Sequence, residues 1–318
     1  MLVNQPPARG GDPHAPARRA ARGAFGARAV GAAALVTAFA TLAWADATGL
    51  WGAPPAWWLL PVAGVLAAAG AAEVVGLLGR AGRSVDGPLV VVTTVAIVLA
   101  AAAGESRAAA APAGLGWAAA ACMATVGLFA CAGILRYRPD GATLARITAG
   151  AATAVGLGLP IAFLVALRLL SRADGPADGG QRLGLLPLVS LVAVVKAGDI
   201  AAYVVGSLVG SHRMAARLSP GKTWEGAAAS LAASLAASWI VLDRVDWPTA
   251  DRPWGGWPAF GVLVGMAGMA GDLAESLVKR DLDAKDSGRS LGGLGGVLDL
   301  VDSLLLAAPV AWALWVAG

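Results

Sequence analysis

Nine apolar stretches, near residues 28–45, 56–78, 87–103, 113–135, 147–170, 184–209, 226–242, 257–278 and 296–317, decide most of what this chain can fold into. Each is long enough to cross a hydrocarbon layer of about 30 Å as a helix. They are built from Ala, Gly, Val and Leu without strand-like alternation. Helices are the natural outcome, because a helix satisfies its own backbone polar groups in lipid. Only 14% of the residues are charged against 58% hydrophobic, and the mean hydropathy is +0.69. A soluble domain carries about a quarter charged residues to keep its surface wet. The expected fold is all-α: a multi-pass transmembrane helical bundle of about nine spans.

The charges that remain sit in short loops. The net charge is +4, and basic residues between apolar runs point to lipid headgroups or an anionic substrate, with no nucleic acid expected as a partner. Residues 1–27 read as a disordered basic tail. Ala43-Trp44-Ala45 resembles a signal-peptide cleavage site, but the first span is expected to stay as an anchor. Basic residues alternate from loop to loop: Arg80 and Arg83, then Arg136, Arg138 and Arg146, then Arg213, Arg217 and Lys222, then Lys279, Arg280, Lys285 and Arg289. The positive-inside rule therefore puts the amino terminus and the 210–225 and 279–295 loops in the cytoplasm, with the protein in the cell (inner) membrane. Cys122 and Cys131 lie in one run and face nearly opposite sides of a helix, so no disulfide joins them. Two Cys and two His cannot build a soft metal site, so any metal must be a hard ion on carboxylates.

Polar residues crowd the carboxyl half. Residues 28–170 read as an amino-terminal transmembrane scaffold and 171–318 as a carboxy-terminal catalytic half. An ionised side chain at membrane depth costs at least a few kcal/mol, so it needs a cavity or a partner. Lys196, Asp199 and Tyr203 share one helix face in the sixth span and read as facing a cavity or partner; a self-neutralising pair that only joins helices is the alternative. Arg217-Leu218-Ser219-Pro220-Gly221-Lys222-Thr223 contains Gly-Lys-Thr, but a P-loop needs glycine at 216, where this chain has Ala, and a preceding strand in a neighbourhood that reads as helical. What remains is a turn with hydroxyls and a lysine before a helix, either a phosphate cradle or an ordinary basic loop. Asp272, Glu275, Ser276 and Lys279 form a stripe on one span, and Asp299, Asp302 and Ser303 form another on the last. Two carboxylate stripes at helix ends, joined by a basic Gly-rich loop, can hold a hard divalent ion with a phosphate chain.

Three segments carry a resemblance. Ser276-x-Val278-Lys279-Arg280-x4-Lys285-Asp286-x-Gly288-x2-Leu291-Gly292-x-Leu294-Gly295-Gly296-Val297-x-Asp299-x-Val301-Asp302 resembles the signature of phosphatidate cytidylyltransferases (CDP-diacylglycerol synthases). Asp199-x-x-Ala202-Tyr203-x-x-Gly206 and Ser219-Pro220-x-Lys222-Thr223-Trp224-Glu225-Gly226 are similar to the same family in order and spacing. The matching covers roughly residues 195–303; the amino half adds helix count and Glu73, a lone acid in the second span. Three positions depart: Leu294 stands for the family's His, Leu300 for its Arg, and Gly221 for a Lys.

The resemblance implies cytidylyl transfer from CTP to phosphatidate, giving CDP-diacylglycerol and pyrophosphate in phospholipid biosynthesis. It implies Mg²⁺, or another hard divalent cation, on Asp272 and Asp299 with Asp286 and Asp302 close behind. Lys222, Lys279, Arg280 and Lys285 would screen the triphosphate and lipid phosphate, Ser219 and Thr223 would offer hydroxyls, and Asp199 and Tyr203 would line the lipid entrance. Catalysis would fall to Asp272, Asp299, Lys279, Lys285 and Asp286. CTP, phosphatidate and membrane lipids are the implied partners, and a homodimer is open to such a chain. A CTP-dependent lipid kinase, a cytidylyltransferase for another lipid phosphate, an ion-coupled transporter and an inactive scaffold are the alternatives.

Overall fold

The computed structural model describes residues 34, 37–54, 56–105, 113–170, 185–247, 251–284, 287–288 and 295–318. The basic tail of residues 1–27 lies outside them, as do Lys285, Asp286 and Leu294. Each of the nine apolar stretches contains a helix: α1 (37–47), α2 (Leu60–Arg80), α3 (Gly87–Glu105), α4 (Ala113–Leu135), α5 (Thr143–Leu169), α6 (Leu185–Val209), α7 (Trp224–Trp239), α8 (Gly256–Asp281) and α9 (Val297–Ala317). Seven are long and apolar enough to cross a membrane; Gly87–Ala103 is a shorter apolar helix.

One end of the bundle collects the carboxyl ends of α2, α4, α6 and α8 and the amino ends of α3, α5, α7 and α9, as the contacts of Arg83 with Asp281, Asp86 with Arg136, Gly133 with Ile147, Gly210 with Thr223, and Lys279 with Asp299 show. Of the four apolar clusters among the described residues, two are the largest. One joins Leu167 of α5, Leu191 and Val194 of α6, Phe260 and Val264 of α8, and Leu304 and Trp315 of α9. The other joins Leu77 of α2, Val90 of α3, Phe129 of α4 and Leu157 of α5, and also takes Leu282 and Leu298 from the carboxyl half.

Lipid tails are as apolar as leucine, so helix association relies on close packing of small residues and on interhelical hydrogen bonds. Buried Ser230, Ser234 and Ser238 make a stripe along α7. Ser234 Oγ donates to the Val194 carbonyl at 3.1 Å and Ser238 Oγ to the Trp257 carbonyl at 2.8 Å, tying α7 to α6 and α8. A Cβ on Gly198 would come within 2.7 Å of Ser234 Oγ, so α6 meets α7 closely there. Past Trp239, α7 widens into a π turn over Ile240–Arg244.

The segment around Gly-Lys-Thr, expected as a turn before a helix in a helical neighbourhood, is a two-stranded hairpin that leads into α7, β1 (Arg213–Ala215) and β2 (Ser219–Thr223), pairing Arg213 with Thr223 and Ala215 with Ser219. Pro220 removes a backbone donor and Gly221 disfavours a helix, so the chain stays extended on a short open edge. The Gly-Lys-Thr lies inside the strand, which is not the loop-to-helix placement of a P-loop. Thr223 ends the hairpin and starts α7, its Oγ1 accepting from the Gly226 N–H at 3.1 Å as an N-cap.

At the opposite end of the bundle Arg168 and Asp46 form a buried ion pair, Nε to Oδ2 2.5 Å. Asp46 also accepts from the backbone N–H groups of Ala56 at 3.1 Å and Trp58 at 3.0 Å.

Candidate active site

Helices α8 and α9 carry the site because they nearly touch. A Cβ on Gly271 would lie 2.5 Å from the Asp302 carbonyl oxygen, so no larger residue fits without spreading the pair. The next residue along α8 is Asp272, and Glu275 follows one turn later on the same face. One carboxylate oxygen from each of Asp272, Glu275 and Asp302 lies within 4.8 Å of the others. Hard divalent ions bind carboxylate oxygens at roughly 2.0–2.6 Å, which such a trio can supply around one centre. Glu275 is buried, and its Oε1 has no hydrogen-bond partner among the described residues. A buried carboxylate oxygen without a donor is costly unless a cation completes it. The donor set, three hard oxygens, therefore fits Mg²⁺.

Asp299 sits beside this trio with protein donors around it. Its Oδ1 accepts from Lys279 Nζ at 2.8 Å, and its Oδ2 from the Gly296 N–H at 2.7 Å and Ser287 Oγ at 2.8 Å. Lys279 also pairs with Glu275 Oε2 at 2.7 Å, so one ammonium bridges Asp299 to the trio.

The hairpin and α6 approach from the other sides. Lys222 Nζ of β2 stands 2.9 Å from Asp272 Oδ2. Arg280 holds the hairpin in place, its Nε donating to the Leu218 carbonyl at 3.2 Å. Ser219 is half-buried on β2. Lys196 Nζ donates to Asp199 Oδ2 at 3.0 Å, the Leu300 carbonyl at 3.1 Å and Ser303 Oγ at 3.1 Å, and Ser303 Oγ donates to Asp199 Oδ2 at 2.9 Å. Tyr203, one turn beyond Asp199, is exposed. Among the groups joined by these contacts, the carboxylates Asp199, Asp272, Glu275, Asp299 and Asp302 face the lysines Lys196, Lys222 and Lys279. Among the described residues these carboxylates outnumber the lysines that contact them, a surplus of acid that suits a cation.

Of the residues singled out in the sequence, Asp272, Asp302, Lys222, Lys279 and Asp299 converge; Asp199 joins through Lys196 and Ser303; Thr223 caps α7, and Arg280 braces the hairpin. Lys285 and Asp286 fall outside the described residues. Two groups gain weight from the structure. Glu275 stood on the acidic stripe, and its spacing from Asp272 was the available signal. Glu73 of α2 reaches the site from the amino half: its two oxygens accept the N–H groups of Val297 and Leu298, each at 2.9 Å. These are orphan donors at the start of α9, where a carboxylate is favoured by the helix dipole. Ser287 Oγ lies 3.3 Å from Glu73 and Arg80 Nη2 donates to the Ser287 carbonyl at 3.4 Å, so α2 also holds the loop before α9. A lone acid in an apolar span was the sequence signal for Glu73.

A family model described as the cytidylyltransferase family matches residues 27–317. The chain is 42% identical over 159 residues to a phosphatidate cytidylyltransferase of Brucella suis, covering 49% of this chain and 57% of that protein. It is 42% identical over 139 residues to one of Mycobacterium leprae, covering 44% of this chain and 42% of that protein. A third, of Mycobacterium bovis, is 43% identical over 122 residues, 38% of each chain. The chain thus spans about half the length of the curated relatives it matches.

Proposed function

Because this chain belongs to the cytidylyltransferase family, we propose that it transfers the cytidylyl group of CTP to phosphatidate, giving CDP-diacylglycerol and pyrophosphate in phospholipid biosynthesis. The observation that carries this reading is the trio Asp272, Glu275 and Asp302, whose carboxylate oxygens converge within 4.8 Å of one another between Lys222 and Lys279. The names of the three relatives support CTP and phosphatidate as the substrates.

In the reaction a phosphate oxygen of phosphatidate forms a bond to the α-phosphorus of CTP, and the bond from that phosphorus to the bridging oxygen breaks, releasing pyrophosphate. Both reactants are anions, so the protein's task is to neutralise and position them. Asp272, Glu275 and Asp302 would hold Mg²⁺, with Asp299 and Asp286 as the further carboxylates of the site. Bound there, the ion supplies Lewis-acid neutralisation of the phosphate chain. Lys222 swings between Asp272 and a phosphate oxygen, while Arg280, and by the family resemblance Lys285, add positive charge for the phosphates. Lys279 bridges Glu275 and Asp299 as a shared counter-ion. Ser219 offers a hydroxyl at the hairpin, Thr223, expected from the sequence to do the same, is buried as the α7 cap instead and only anchors the hairpin, and Asp199 and Tyr203 border the lipid entrance. Phosphatidate is itself the nucleophile, so no covalent enzyme intermediate is needed.

The site belongs on the cytoplasmic face of the inner membrane, where CTP is found, with the amino terminus on the same side. Membrane lipids and a second copy of the chain complete the partners of this reading; light scattering of the solubilised protein tests the dimer.

The test is the purified protein with labelled CTP, phosphatidate and Mg²⁺, repeated with each of the other nucleoside triphosphates. A liponucleotide and pyrophosphate are expected from CTP alone. Release of CDP with a newly phosphorylated lipid would instead identify a CTP-dependent lipid kinase, and ion flux in proteoliposomes without nucleotide would identify a transporter.

A further inference from the structure

The same end of the bundle carries a second charged cavity, in the amino half. It has a volume of about 410 Å³ and lies among the α2–α3 loop, the end of α4 and the start of α5. Arg136, Arg138 and Arg146 line it, with Asp86 as the acidic residue of the wall and Phe129 and Ile147 as apolar floor. Arg136 pairs with Asp86, and Arg146 with Asp140 at 2.7 Å outside the wall. The Arg138 guanidinium is exposed and has no ion-pair or hydrogen-bond partner among the described residues. A guanidinium offers five donors, so the two paired arginines also keep donors to spare.

The surroundings fix the depth of this cavity. Ile134 is 74% exposed, Leu135 85% and Leu144 72%, on the two helices that flank it. Such residues belong against acyl chains. Tyr137, 68% exposed, stands between Arg136 and Arg138 where interfacial aromatic residues collect. Cations at the mouth and hydrocarbon-facing side chains just beyond it match a lipid whose phosphate enters while its tails stay in the membrane. Arginine forks suit phosphate oxygens.

We propose that this arginine cavity binds the phosphate headgroup of an anionic glycerophospholipid, at a site separate from the carboxylate cluster. The site uses no residue of the proposed transfer reaction, and its occupancy is readable whether or not the chain turns over CTP.

The full-length protein, reconstituted in phosphatidylcholine nanodiscs containing a minor fraction of phosphatidylglycerol, is exchanged into neutral detergent, and retained lipid is read by native mass spectrometry. Phosphatidylglycerol should be retained over phosphatidylcholine. Arg138→Gln should lower that retention roughly fivefold, and Arg138→Gln with Arg146→Gln about 25-fold, following the contribution of one arginine near an anionic surface. Ala132→Phe, which fills the cavity without changing charge, should lower it comparably, while Arg217→Gln on the hairpin loop should not. Equal retention in wild type and all variants overturns the proposal. Displacement of phosphatidylglycerol from wild type by inorganic phosphate or CTP also overturns it, because the ligand is then a soluble phosphate.

Discussion

The two ends of the bundle handle buried charge in opposite ways. At one end Asp46 is matched: Arg168 and two backbone N–H groups occupy its oxygens, and the pair is shut away from solvent. At the other end, among the described residues, five carboxylates share three lysines, and Glu275 keeps a buried oxygen without a donor. A matched charge in a membrane bundle locks helices together; an unmatched one is retained at a cost and marks a place where something charged binds.

Breaking the matched end should have the largest effect on folding. Arg168→Met leaves Asp46 buried without its counter-ion and should lower stability by about 3–5 kcal/mol, seen as a fall in the thermal inactivation midpoint, with turnover per folded molecule unchanged. The unmatched end should behave the other way. Asp302→Asn is expected to cut cytidylyl transfer roughly a hundredfold or more, the scale of losing part of a metal's charge stabilisation, while the apo protein melts no lower than wild type because a repulsive charge has gone. Retained transfer in Asp302→Asn would sink the ion assignment. Saturating Mg²⁺ should raise the melting temperature of wild type, by about 2.7 kcal/mol of stability at a hundred times Kd, and leave Asp302→Asn unmoved. Glu73→Gln tests whether the amino half takes part. The amide can accept only one of the two N–H groups, so about 1–3 kcal/mol should be lost, with kcat falling more than KM for CTP rises if α9 shifts. The smallest effect belongs to Thr223→Ala, which removes the α7 cap and should cost about 1 kcal/mol in urea or thermal unfolding.

How much of this was legible in the sequence follows the range of each interaction. All nine helices were, because hydrophobic length is a local property that lipid enforces residue by residue. The hairpin was not, because its neighbours on both sides are helical and only Pro220 and Gly221 argued for extended chain. The stripe of Asp272, Glu275 and Lys279 follows from the 3.6-residue period alone, as does that of Asp299 and Asp302. Which carboxylates meet each other depends on how α8 and α9 are rotated at their crossing, and no period encodes that. Asp302 turns toward Asp272, whereas Asp299, one turn earlier, turns toward Lys279 and Ser287. The ties from Glu73 to Val297 and from Asp46 to Arg168 join residues far apart in the chain; Glu73 stood out as a lone acid in an apolar span while its partner did not, and the Asp46 pair gave no sequence signal.

The bare α-carbon of Gly271 sets the gauge of the gap between the carboxylates of α8 and α9. Its missing methyl is what lets the backbone of α9 come so close to α8, and the spacing of Asp272 and Asp302 inherits that closeness. Gly271→Ala would act as a shim, wedging the two helices apart by tenths of an ångström. A small ion that demands short, rigid bonds would lose ground to a larger, more tolerant one such as Ca²⁺. Preference between cations would then be dictated by a residue that has no side chain to touch either of them.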